Sequence, residues 1–92
     1  MNVQTLVSFV RHGDVHNPDE IFYGRLPRFR LSEYGCSQAN SAAKYLQGKP
    51  IAAIFSSPLL RARQTAEIIR YLHSHLPLRF SQLLNEVYCP FD

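Results

Sequence analysis

Ninety-two residues, 46% of them apolar and 18% charged, make one small globular domain and exclude a disordered chain. At this length folding buries only roughly 60–65% of the unfolded surface, so the core is small. Ten Lys and Arg against seven Asp and Glu leave a net charge of +3, and the cations are scattered, which suits small acidic or phosphorylated molecules better than nucleic acid. Cys36 and Cys89 are too few for a disulfide framework and lack metal-ligand spacing, so both are expected reduced. No apolar run resembles a signal peptide or approaches the ~20 residues of a membrane span. The expectation is a soluble, cytoplasmic chain without a membrane or nucleic-acid partner, organised as a single domain over 1–92.

Leu6 to Val10 reads as a buried first strand, ending abruptly in Arg11, His12 and Gly13. A long connection follows from Asp14 to Leu31, with Pro18, Gly24 and Pro27 and no helical period. Loops of this length in a small domain tend to be functional. This one is aromatic and basic, carrying Phe22, Tyr23, Arg25, Arg28, Phe29 and Arg30. Such interleaving could mimic a single-strand nucleic-acid platform, but a solvated basic rim at Arg28 and Arg30 is the preferred reading.

Ser32 looks like a helix N-cap with Glu33 in the first turn. Ala39, Ala42, Ala43 and Leu46 then make one apolar stripe, and Gly48 and Pro50 stop the helix. Ile51 to Phe55 reads as a second buried strand. Ser57 predicts the cap of the next helix and Pro58 its first residue. The stripe of that helix is Leu59, Ala62, Ala66, Ile69 and Leu72, and Arg63 and Glu67 lie on its outer face. After Pro77, Leu78 to Ser81 predicts a short third strand. The order strand, loop, helix, strand, helix, strand implies a parallel sheet with right-handed crossovers.

Two strands therefore deliver chemistry to one edge, where ligands of open α/β sheets sit. Arg11 and His12 leave the first. Arg61 lies in the opening turn of the helix after the second, whose N-terminus adds partial positive charge and backbone amides. Two arginines, an imidazole and a helix start suit a phosphoryl group, because guanidinium matches phosphate oxygens bidentately. His16 is expected to be a solvated loop residue, and His73 and His75, two apart at a helix end, do not face one another.

The chain resembles the N-terminal part of the histidine phosphatase superfamily, which includes the phosphoglycerate mutases. The match is carried by Val10-Arg11-His12-Gly13, then Gly24-Arg25 with Leu31-Ser32-Glu33-Tyr34-Gly35 and Gln38-Ala39. It continues through Ser56-Ser57-Pro58-Leu59-Leu60-Arg61-Ala62-Arg63-Gln64-Thr65-Ala66-Glu67 and ends at Leu84-Asn85-Glu86. The resemblance implies a three-layer phosphoglycerate mutase-like α/β fold, here truncated to about three strands and two main helices. It also implies that His12 is a nucleophile passing through a phosphohistidine and that Glu86 is the acid and base. Arg11 and Arg61 would bind the phosphate, with Gly13 allowing a sharp turn after His12.

Asn17 would contact substrate phosphate, although it stands one residue nearer the histidine than the family pattern has it. Asp14 replaces a more usual glutamate or glutamine. Gly24 and Arg25 would guide the acidic end of a phosphorylated small-molecule substrate. No metal or organic cofactor is implied. The family's second histidine is not found in this sequence, which leaves an alternative: a catalytically deficient phosphate-binding or oligomerisation module of the same fold. An uncovered sheet edge further implies a homo-oligomer or a completing second chain.

Overall fold

The structure is a computed structural model and describes residues 7–20 and 28–84. Its elements are helix α1 (Glu33–Leu46), strand β1 (Ile54–Ser56), helix α2 (Leu60–Tyr71), strand β2 (Leu78–Phe80) and a 3₁₀ turn (Gln82–Leu84). β1 and β2 pair in parallel, with Ile54 opposite Leu78 and Ser56 opposite Phe80. The two strands and α2 between them form a βαβ unit, an α/β arrangement as the element order predicted.

Helix α1 keeps its predicted start and stop. The Ser32 hydroxyl accepts from the Gly35 amide at 3.0 Å, and Glu33 lies in the positive first turn. Gly48, at φ +81, takes the left-handed conformation that closes the far end at no steric cost. The small stripe Gly35, Ala39, Ala43 and Leu46 is buried. Ala43, Leu46 and Ile69 form the core, with Ala42, Ile51, Ile54 and Leu72 packed against it. His73 belongs to this core: it is 5% exposed, and its Nε2 donates to the Ala43 carbonyl at 3.2 Å, tying the end of α2 to α1.

Three expectations need correction. The run expected as a first strand, Leu6 to Val10, lies outside the sheet over its described residues 7–10, with Val7 and Phe9 67% and 91% exposed. A parallel strand needs hydrogen-bonded neighbours and covered faces, and the described sheet is two strands of three residues each. Among the described residues the sheet has two paired strands, which is compatible with the truncated α/β fold expected. Helix α2 begins at Leu60 rather than Pro58, with Leu59 at its N-cap position. Ser57 is drawn into a local turn instead, its hydroxyl accepting from the Leu59 amide at 3.2 Å. The second strand, expected over Ile51 to Phe55, is confined to Ile54–Ser56 because its partner starts only after Pro77. The Pro77 carbonyl accepts from the Ile54 amide at 2.9 Å, but proline has no N–H to extend the ladder.

Candidate active site

The described ends of the loop after Arg11 are joined by hydrogen bonds to each other and to both helices. Its two ends zip together: Val15 and Leu31 form an antiparallel bridge. The His16 amide donates to the Arg30 carbonyl at 2.9 Å, and the Ser32 amide donates to the Asp14 carbonyl at 2.8 Å. The Ser32 hydroxyl also meets the Asp14 carboxylate at 2.6 Å. The cap of α1 and the residues after His12 are therefore one hydrogen-bonded unit. Asn17 is half-buried, and its carbonyl accepts from the Glu20 amide at 3.1 Å, closing a turn through Pro18 and Asp19. His16 is exposed, as expected.

Gly13 is buried, and the reason for a glycine there differs from the one the sequence suggested. Its φ is not in the left-handed region. A Cβ on Gly13 would instead lie 2.8–2.9 Å from backbone carbon atoms of Gly35, and a Cβ on Gly35 would meet the backbone of Asp14 at 2.8–2.9 Å. Two glycines thus let the loop lie directly against the first turn of α1.

Across this contact runs the tie to α2. The Gly13 amide donates to Thr65 Oγ1 at 3.1 Å, and the same hydroxyl donates to the Arg61 carbonyl at 2.8 Å. The residue after His12 is thereby two hydrogen bonds from the backbone of Arg61. Arg61 is fully buried, while Arg11 is exposed. A guanidinium withdrawn from water interacts more strongly with an anion than one in solvent. Leu59, at the N-cap position of α2, makes no side-chain cap bond.

The imidazole of His12 is half-buried, with Nδ1 2.8 Å from the Gly13 carbonyl. A carbonyl only accepts, so Nδ1 carries the hydrogen and the lone pair of the neutral ring is on Nε2. Among the described residues no group of three His, Cys, Asp or Glu could hold a metal ion. Glu86, Gly24, Arg25 and Cys89 lie outside the described residues.

Sequence reasoning assigned no role to Gln38, Gln64 or Thr65, although all three stand in the motifs it singled out. Gln64 Oε1 accepts from the Leu31 amide at 2.8 Å, and Gln38 Oε1 from the Asp14 amide at 2.7 Å. For Thr65 the signal was available: a hydroxyl four residues after Arg61 shares its buried helical face and needs a partner.

The sequence profile of the histidine phosphatase superfamily (branch 1) matches residues 7–89. The chain is 49% identical over 73 residues to an uncharacterized protein of Mycobacterium tuberculosis, covering 79% of this chain and 36% of that protein. It is 32% identical over 87 residues to fructose-2,6-bisphosphatase TIGAR of Xenopus laevis, covering 94% and 29% of the two chains. With fructose-2,6-bisphosphatase TIGAR B of Danio rerio it shares 41% identity over 71 residues, 74% of this chain and 28% of that one. The chain thus spans about a third of the length of these relatives. Its α/β arrangement is compatible with a truncated phosphoglycerate mutase-like fold, and the chain belongs to the histidine phosphatase superfamily.

Proposed function

We propose that this chain carries out phosphoryl transfer through a phosphohistidine at His12. The Nε2 lone pair attacks the phosphorus of a phosphomonoester, and the P–N bond forms as the bond to the leaving oxygen breaks. Water then attacks the phosphohistidine, releasing inorganic phosphate and restoring the imidazole. Glu86 gives a proton to the leaving oxygen in the first step and takes one from water in the second. Arg61 and Arg11 bind the non-bridging oxygens, offsetting charge that grows in the transition state. The chemistry so assigned uses no metal or organic cofactor, because the arginines supply the positive charge. Asn17 contacts the phosphate, and Gly24 and Arg25 are assigned to guiding the acidic end of the substrate. Water is preferred to a second substrate as acceptor, making the reaction that of a phosphatase rather than a mutase.

The observation that carries this reading is the bond from His12 Nδ1 to the Gly13 carbonyl, because it leaves the reactive lone pair on the other nitrogen. The TIGAR relatives are named for a phosphorylated sugar, which supports a small phosphorylated metabolite as the substrate class here. No helix among the described residues is long and apolar enough to cross a membrane, and a cytoplasmic setting is part of the proposal. Hydrolysis of para-nitrophenyl phosphate tests it: His12→Ala should lower the rate more than about 10⁴-fold. Equal rates in the two proteins would refute it. Phosphate binding without hydrolysis, lost in Arg61→Ala, would identify a binding module instead.

A partner is also proposed, on a separate observation. Phe55, next in β1 after Ile54, which packs against the core, is 62% exposed, and Leu83 beyond β2 is 95% exposed. Parallel sheets are ordinarily covered on both faces, so a second polypeptide, in the first instance another copy of this chain, covers this side. A light-scattering mass equal to one chain at micromolar concentration would exclude self-association.

A further inference from the structure

Three side-chain contacts around His12 converge on one residue. The Gly13 carbonyl accepts from His12 Nδ1 at 2.8 Å. That carbonyl belongs to the same peptide group as the Asp14 amide, which donates to Gln38 Oε1 at 2.7 Å. On the other side of the residue, the Gly13 amide donates to Thr65 Oγ1 at 3.1 Å. We propose that Gln38 on α1 and Thr65 on α2 are positioning residues for His12, clamping Gly13 so that its carbonyl holds the imidazole with the hydrogen on Nδ1.

The physical argument has two parts. The first is polarisation. The peptide group sits between a donor and an acceptor, in the series His12 Nδ1–H, Gly13 C=O, Asp14 N–H, Gln38 Oε1. Accepting the Asp14 hydrogen draws electron density toward the Gly13 oxygen and strengthens its hold on the ring, as in any chain of hydrogen bonds. The second is orientation. A residue with one flanking peptide group held still turns about its φ and ψ; with the peptide group before Gly13 held from α2 and the one after it held from α1, its carbonyl is presented in one direction. Thr65 is 4% exposed and its hydroxyl hydrogen is committed to the Arg61 carbonyl, so its oxygen is oriented as an acceptor for Gly13. The glycine pair Gly13 and Gly35 allows the loop to come close enough to α1 for Gln38 to reach. Neither side chain is assigned a contact with substrate. Each acts through the backbone between it and the ring, much as a second group sets the tautomer of a reactive histidine.

The inference rests on the reading of His12 as nucleophile, and the two are tested separately. The probe for positioning is the His12 tautomer itself. It is measured by long-range ¹H–¹⁵N correlation on the full 92-residue chain labelled at histidine nitrogens, under mildly alkaline conditions, with His12→Asn identifying its signals. Wild type should show Nδ1–H as the major form. Gln38→Leu and Thr65→Val should each move the tautomer ratio toward Nε2–H by about three- to tenfold, the range one ordinary hydrogen bond supports. Gln38→Glu and Thr65→Ser, which keep an acceptor, should hold the wild-type ratio; a purely structural role would not sort the variants this way. The buried His73 signals report whether the fold is intact. If Thr65→Val disturbs them, the exposed Gln38 pair decides the question. An unchanged ratio in Gln38→Leu, or a wild-type His12 already in the Nε2–H form, would overturn the proposal. Phosphohistidine formation from phosphoramidate is followed in the same samples. Its failure in a wild type that nevertheless shows the expected tautomers would remove the nucleophile reading and leave the positioning intact.

Discussion

The neighbourhood of His12 and the outer side of the sheet are built to different standards. Around Gly13, Asp14 and Ser32 the backbone amides and carbonyls find partners on both helices, glycine meets glycine without room for a methyl group, and Arg61 is withdrawn from water. On the sheet, β1 and β2 run three residues each and Phe55 is 62% exposed. The difference teaches where the information in this stretch of sequence is spent. Groups from the loop and from both helices meet around Gly13, while Phe55 on the strand is left exposed. On the proposed reading, binding and orientation of a phosphoryl group are local properties of the helices and the loop, separable from the covering of the sheet.

That separation can be broken or sharpened by substitution. The largest effect is expected at Arg61, where replacement by Ala removes the buried guanidinium and should slow phosphoryl transfer by about 10²–10³; single-turnover rates with para-nitrophenyl phosphate check it. A rate within twofold of wild type would mean that the exposed Arg11 alone offsets the charge. Next comes Gly35→Ala. Its Cβ meets the Asp14 backbone, so either the loop or α1 must shift, at about 1–3 kcal/mol. Urea unfolding should register that loss, and the His12 tautomer should be disturbed with it. Phe55→Ser is the smallest in stability, within about 0.5 kcal/mol for an exposed side chain. It should nevertheless lower the mass seen by light scattering. A wild-type mass retained in that variant would locate the contact elsewhere.

How much of this was legible in the sequence varies with the range of the contacts involved. Helix α1 could be bounded from Ser32 and Gly48 because capping is decided within a few residues. Its buried face followed from helical spacing. The start of α2 was misplaced by two residues, since Ser57 has two local uses and only the folded chain shows that it bonds Leu59. Residues 7–10 have the composition of a strand, but strand pairing is a property of neighbours, and composition cannot supply them. His12, Arg11 and Arg61 stand out from their motifs, and the structure joins Gly13, the residue after His12, to the Arg61 carbonyl through the Thr65 hydroxyl. The clamp of Gln38 and Thr65 was not legible: it joins Gly13 to a residue 52 positions away, and nothing in the spacing of a glutamine and a threonine announces that they hold the two peptide groups flanking one glycine. Glycine at position 13 was recognisable as special, but for chain direction rather than for its true reason, the approach of Gly35.

The most direct measurement of the central claim is intact-mass and fragment analysis of the chain after brief exposure to a phosphomonoester or phosphoramidate. A single added phosphoryl group, acid-labile and base-stable, mapped to His12 and absent in His12→Ala, is the predicted result. A protein that hydrolyses para-nitrophenyl phosphate with no phosphoryl group on His12, or with one on another residue, would contradict it.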